Sequence, residues 1–187
     1  MEQRSVDAAG APAAATTLPG AVLPPPAAAD TVTVKMAEME VVADGRSLKT
    51  VLGSCVGVIV RDPDRRVTGL AHIMLPARRF DDEACGKYAD SAIPALLARM
   101  ASRGCRAGAL QAFLVGGAQM FPMGSASIAS IGDKNVEAAR RVLTERKIPI
   151  VFEDIGGTAG RTVVFSNATG KVAVKTLRAI SSRGGTP

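Results

Sequence analysis

Cys55 and His72 are the residues of this chain best suited to covalent chemistry. His72 is the sole histidine, and Cys55 is one of three cysteines. Cysteine attacks as its thiolate, and a free thiol with a pKa near 8.5 is mostly protonated at neutral pH. A histidine within hydrogen-bond reach can take that proton and later return it to a departing amine or ammonia. Gly53 and Ser54, just before Cys55, let the backbone turn sharply. Their N–H groups, with that of Cys55, can then face a developing oxyanion. Thr50, on the incoming segment, is placed to orient the imidazole as a third member. Such a set is built for acyl transfer through a thioester.

Two apolar, β-branched-rich runs must position these groups: Val56 to Arg61 and Val67 to Leu75 read as strands. Asp62-Pro63-Asp64-Arg65 between them reads as a turn, since Asp62 can accept from the backbone two residues on and Pro63 presets φ. If Asp62 and Arg65 flank that turn symmetrically, His72 falls directly opposite Cys55. Opposed residues of an antiparallel pair have Cβ atoms roughly 4.5–5.5 Å apart on one face, whereas a one-residue slip would separate the faces. A cysteine in a Val-rich strand is more often a small buried hydrophobe, and a lone His a satisfied core residue. The register that joins them brings the nucleophile and core readings level.

Residues 1–30 hold ten Ala and five Pro with no apolar period, so a disordered tail is expected there. Glu2, Arg4, Asp7 and the prolines argue against a secretory signal. No stretch approaches the roughly 20 apolar residues of a membrane span. Residues 31–178 suffice for one domain, and residues 179–187 read as a flexible end.

The net charge is +6, and the first 30 residues carry Arg4 against Glu2, Asp7 and Asp30, so the remainder is more basic still. A basic body suits an acidic partner. Aromatics at 3 %, without Trp, leave few stacking platforms and argue against nucleic acid. An odd number of cysteines and no export signal predict reduced thiols in the cytoplasm. Cys85 and Cys105 have no histidine nearby in sequence and read as incidental. The Cys spacings match no zinc pair, and no phosphate-binding P-loop motif occurs.

Further strands are expected at Thr31–Lys35, Met39–Ala43, Leu48–Ser54, Ala109–Val115, Ile148–Glu153, Thr162–Ser166 and Val172–Leu177. Helical spacing spans Lys87 to Arg103, with Pro94 marking a kink or a start, and a second helix runs from a cap at Asp133 through Arg146. The central hairpin is apolar on both faces: Val56, Val58, Val60, Val67, Ala71 and Ile73 on one, Ile59 and Leu70 on the other. A sheet covered on both sides follows, which predicts a layered α/β domain with a mixed sheet.

Leu52-Gly53-Ser54-Cys55-Val56, Asp62-Pro63 and Gly69 through Pro76 closely resemble the signature of the CheD family, chemoreceptor glutamine deamidases of chemotaxis. In order, Tyr88-Ala89-Asp90, Gly116-Gly117-Ala118 with Met120-Phe121, Ile131-Gly132 with Asn135, and Asp154 to Gly157 with Gly160-Arg161 continue the likeness. It spans roughly residues 35 to 178.

The resemblance implies a single-domain three-layer α/β/α sandwich with a largely antiparallel sheet, and a cofactor-free amidohydrolase. Carried over, Cys55 is the nucleophile, His72 the general base and acid, and Thr50 the third residue. The implied substrates are glutamine side chains of methyl-accepting chemotaxis receptors, converted to glutamate. A CheC-type phosphatase is a further implied partner. Two other readings stand beside it: a non-enzymatic adaptor on the same fold, and a different Cys-His enzyme such as a protease or acyl transferase.

Overall fold

Val56–Asp62 and Val67–Ile73 form two strands in which every residue is buried. Such a hairpin needs cover on both faces, and the rest of the chain supplies it. The computed structural model describes residues 3–6, 30–78, 85–120 and 130–177. Its elements are β1 (Gln3–Val6), β2 (Thr31–Thr33), β3 (Met39–Val42), β4 (Ser47–Leu52), β5 (Val56–Asp62), β6 (Val67–Ile73), α1 (Ala89–Ala101), β7 (Gln111–Gly116), α2 (Ile131–Glu145), β8 (Ile150–Ile155), β9 (Arg161–Ser166) and β10 (Lys171–Thr176).

The strands make two five-stranded sheets, ordered β3-β6-β5-β7-β8 and β1-β10-β9-β4-β2. Each is mixed, with one parallel pair, β7 with β8 and β2 with β4. On one face of the central sheet, Val56, Val58, Val60, Ala71 and Ile73 pack against Ile93, Leu96 and Met100 of α1 and Val136, Ala139 and Leu143 of α2. Gly69 lets α1 come close, because a Cβ there would lie 2.8 Å from Leu96 Cδ1. On the other face, Ile59, Leu70, Phe113 and Val115 meet Leu48, Leu52, Val163, Phe165 and Val172 of the second sheet.

The α/β class, the three layers and the largely antiparallel pairing agree with expectation. The layers run helices, sheet, sheet, so the outer layer opposite the helices is a β-sheet instead of helices. Apolarity on both faces of a strand demands two covers but does not say which kind of element provides them. Gln3–Val6 pairs antiparallel with β10; the remainder of residues 1–29 and the expected C-terminal tail lie outside the described residues.

The hairpin register differs from the sequence expectation. Asp62 pairs with Val67, so the loop holds four residues, Pro63 to Arg66, with Arg66 in the left-handed region at φ 52°. His72 therefore opposes Gly57, not Cys55. The partner moves by two positions, an even number, and strand periodicity keeps the same face. Gly57, Ile59, Leu70 and His72 all point toward the second sheet.

Two helix boundaries also differ. α1 begins five residues before Pro94, which sits inside the helix. α2 is capped by Ser130, with Asp133 at the third helical position: the Ser130 hydroxyl accepts from Asp133 N at 3.1 Å, and the Asp133 carboxylate accepts from Ser130 N at 3.1 Å. Ser130 outranks Asp133 because this reciprocal box satisfies two end donors at once.

At the end of β5 remote from Cys55, the buried Arg61 joins the sheets. Its guanidinium donates to Asn167 O at 3.0 Å and lies over the Phe165 ring. Phe113 sits midway, with ring centroids 5.0 Å from Phe165 and 6.4 Å from Phe152. Phe113→Ala is expected to cost about 3–5 kcal/mol in urea unfolding, whereas Val51→Ala on the exposed outer face should stay within about 0.5 kcal/mol.

Candidate active site

β4 alternates strictly where it matters: Leu48, Thr50 and Leu52 are buried toward the central sheet, and Val51 faces out. Burial of a hydroxyl requires partners, and Thr50 has two. Its Oγ1 donates to Val34 O at 2.7 Å and lies 2.8 Å from His72 Nδ1. Since the one hydroxyl proton goes to Val34, Oγ1 accepts from a proton on Nδ1. The imidazole is thereby held in the tautomer whose Nε2 carries a free lone pair. Nε2 is buried and has no hydrogen-bond partner among the described residues.

The carbonyl of Val34 is in place because β2 runs beside β4, with Val34 N donating to Lys49 O at 2.8 Å. The histidine backbone is held from its other side, where His72 N donates to Glu38 O at 3.0 Å. Gly57, opposite His72, leaves room for the Thr50 contact: a Cβ there would lie 3.0 Å from Leu52 Cδ1 and 3.7 Å from Thr50 Cγ2.

Cys55 sits one residue before β5, half-buried, against the same inter-sheet cluster that His72 faces. Its loop is held by carbonyls. Gly53 O accepts from Ala118 N at 2.9 Å, Ser54 O from Asn135 Nδ2 at 3.0 Å, and Cys55 O from Gly117 N at 2.8 Å. In a trans peptide the N–H points opposite the preceding C=O. Fixing the carbonyls of Gly53 and Ser54 therefore fixes the N–H groups of Ser54 and Cys55 on the other side. Apart from the lean of the Cys55 N–H on its own thiol, neither N–H has an acceptor among the described residues, which is the arrangement an oxyanion needs.

Glycines make this clamp close. Gly116 has φ +109° and a Cβ there would lie 2.3 Å from Cys55 O; Gly132 in α2 touches Gly117, where an added Cβ would lie 2.4 Å from Gly117 O. The clamp is itself supported: Gly156 N donates to Gly116 O and Gln119 N to Gly157 O. Arg161, buried, ties that segment down through Asp154 Oδ1 at 2.9 Å and Gly156 O at 2.8 Å. Gly116-Gly117 and Gly156-Gly157 are thus the backing of the cysteine loop.

Burial pushes the Cys55 thiol above its ordinary value, against the pull of its own backbone N–H. Burial likewise holds the His72 imidazole low, more than the Val34 carbonyl and the Glu38 carboxylate raise it. Both groups are therefore neutral at rest near pH 7. Of the other thiols, Cys105 is pushed up to about 11, by burial first and then by Asp62; Cys85 is exposed. Cys105 lies beside Asp62, at the end of β5 remote from Cys55. No cluster of three His, Cys, Asp or Glu suited to a metal occurs among the described residues.

The structure thus joins Thr50 to His72 and brings Cys55 into the same layer beside a braced loop, with no hydrogen bond between Cys55 and His72 among the described residues. The sequence reading gave Asn135, Gly57 and Val34 no role at this site. Asn135 stood in a family motif; the other two carry no chemical signal.

A family model described as CheD chemotactic sensory transduction matches residues 74–176. A Methanococcus maripaludis protein named probable chemoreceptor glutamine deamidase CheD is 42 % identical over 144 residues, 76 % of this chain and 93 % of its own length. The Halalkalibacterium halodurans chemoreceptor glutamine deamidase CheD is 41 % identical over 158 residues, covering 79 % and 94 %. A Moorella thermoacetica relative named as probable is 44 % identical over 151 residues, covering 78 % and 90 %. Among solved structures, Neisseria meningitidis protein NMB0706 aligns at 13 % identity and a TM-score of 0.45, over 77 % of this chain and 73 % of its own.

Thr50→Val removes the acceptor of the Nδ1 proton and the donor to Val34 O while keeping the shape. Orphaning those buried groups is expected to lower stability by about 1–3 kcal/mol in urea unfolding. The depressed His72 pKa sets a second expectation. The unfolded chain takes up its proton near pH 6.5 and the folded chain only below that. The His72 contribution is therefore complete above about 6.5 and is lost as pH falls through that window, which unfolding measured across it will show as a smaller pH slope in His72→Gln.

Proposed function

As the chain belongs to the CheD family, we propose that it deamidates selected glutamine side chains of chemotaxis receptors to glutamate, with Cys55 as nucleophile. The single observation that carries the site assignment is the Val34–Thr50–His72 chain, which frees Nε2 as a base in the layer that holds Cys55.

A receptor glutamine enters beside the β4–β5 loop. Cys55 Sγ attacks the carboxamide carbon as its proton passes to His72 Nε2. The oxyanion is received by the N–H groups of Ser54 and Cys55, while Gly53 gives the loop its turn. The C–N bond then breaks, the imidazolium returns its proton to nitrogen, and ammonia leaves a thioester. Water, deprotonated by His72, attacks that carbonyl. The C–S bond breaks, the thiol regains its proton, and glutamate is released. Thr50 holds the ring through both halves, and every proton is carried by His72, so no metal or organic cofactor is called for.

The deamidase unit is taken as residues 31–178. The basic composition fits an acidic receptor surface, and a CheC-type phosphatase remains a second partner on the strength of the resemblance. No helix of the described residues is long and apolar enough to cross a membrane; we place the enzyme in the cytoplasm, where receptor signalling domains lie.

The test is incubation with a receptor cytoplasmic fragment, reading ammonia and the conversion of amide to acid by mass spectrometry. Cys55→Ala should abolish both, and equal conversion by the two proteins would remove Cys55 from the mechanism. The pH profile of kcat/KM offers a second expectation. Its acidic limb should lie below about 6.5 and no fall should follow from thiol ionisation up to about 8.5, since burial moves the two groups apart.

A further inference from the structure

Asn135 is completely buried in the first turns of α2, and its amide meets two carbonyls from segments that flank different strands. Nδ2 donates to Ser54 O at 3.0 Å and to Met74 O at 2.9 Å. Ser54 directly precedes Cys55, and Met74 lies two residues beyond His72. One amino group thus links the backbone that carries the sulfur to the backbone that carries the imidazole.

That link falls where the hairpin itself provides none. The β5–β6 ladder ends at Val56 with Ile73, so Cys55 and Met74 lie just beyond its last pair. Without the Asn135 bridge, no hydrogen bond among the described residues ties the Cys55 loop directly to the segment after His72 at the point where the two must meet. The amide cannot be reversed, because Oδ1 facing two carbonyl oxygens would repel both. In the observed orientation Oδ1 is buried with no partner among the described residues. A half-satisfied amide beside Val136 and Ala139 is a poor filler for an apolar layer; its two donors do the work an alanine or leucine could not.

We propose that Asn135 is a positioning residue that fixes the separation of the Cys55 sulfur and the His72 imidazole by bridging Ser54 and Met74. The inference rests on the deamidase reading above. Asn135 touches neither substrate nor reacting atom. Its effect passes through the two loops, so it bears on the chemical step more than on receptor binding. Misplacement of a reacting pair by about 1 Å can cost on the order of a hundredfold in rate.

Asn135→Asp keeps the shape and replaces the two N–H donors with at most one O–H, so the two carbonyls can no longer be bridged. With the full-length variant and a receptor cytoplasmic fragment, kcat is expected to fall at least about tenfold while KM stays within about threefold, the pattern of an interaction expressed in the chemical step. Alkylation of Cys55 by iodoacetamide, read by mass spectrometry on protein shown to be folded by circular dichroism, should slow in parallel. Folded Asn135→Asp with kcat within about twofold of wild type overturns the proposal, as does a change confined to KM. If Asn135→Asp does not fold, Asn135→Ser, which retains one short donor, is judged on the same two readouts. Cys55→Ala run alongside separates the two claims: conversion surviving in Cys55→Ala defeats the deamidase reading and this inference with it, whereas its loss beside an unaffected Asn135→Asp defeats the inference alone.

Discussion

A single hydroxyl proton sets the chemistry of this fold. Thr50 gives it to the Val34 carbonyl, which obliges Oγ1 to accept from His72 Nδ1 and leaves Nε2 as a bare base. Were the proton directed elsewhere, the ring would be free to present N–H toward the sulfur, and a neutral thiol would have no acceptor. The two sheets are what make this chain of three possible. Val34 and Thr50 belong to the outer sheet region and His72 to the central sheet, and the contact passes through the gap at Gly57.

Around that contact the structure supplies rigidity in layers. The helices hold one face of the central sheet, and Phe113 and Phe165 lock the other. The cysteine loop is braced by carbonyl hydrogen bonds to Gly117, Ala118 and Asn135, and those in turn by the Asp154–Gly157 segment and Arg161. Fixing carbonyls on one side of a loop presents amide donors on the other, which is how a site with few charged groups can receive an oxyanion. Low local polarity also explains why burial moves the thiol up and the imidazole down, which leaves both resting groups neutral.

Much of this was legible in the sequence. The two-faced apolarity of Val56–Asp62 and Val67–Ile73 announced a covered central hairpin, and the incoming segment already offered Thr50 to orient the sole histidine, which it meets at 2.8 Å. The register was not legible. Nothing in Pro63-Asp64-Arg65-Arg66 marks Arg66 for the left-handed region, which usually favours glycine, so the expected loop is two residues short. The face survived because the partner moved by two. The identity of the second outer layer escaped because strands report that they are covered, not by what. Asn135 escaped because its contacts are 81 and 61 residues away, and no local pattern encodes contacts at that range.

The protonation state of one ring nitrogen is the most direct test of the account. Nitrogen NMR of the sole histidine at neutral pH, in uniformly labelled protein, reads each ring position separately. The account predicts a protonated Nδ1 and an unprotonated Nε2. A ring protonated on Nε2 alone, or a doubly protonated imidazolium beside a thiolate, would contradict it.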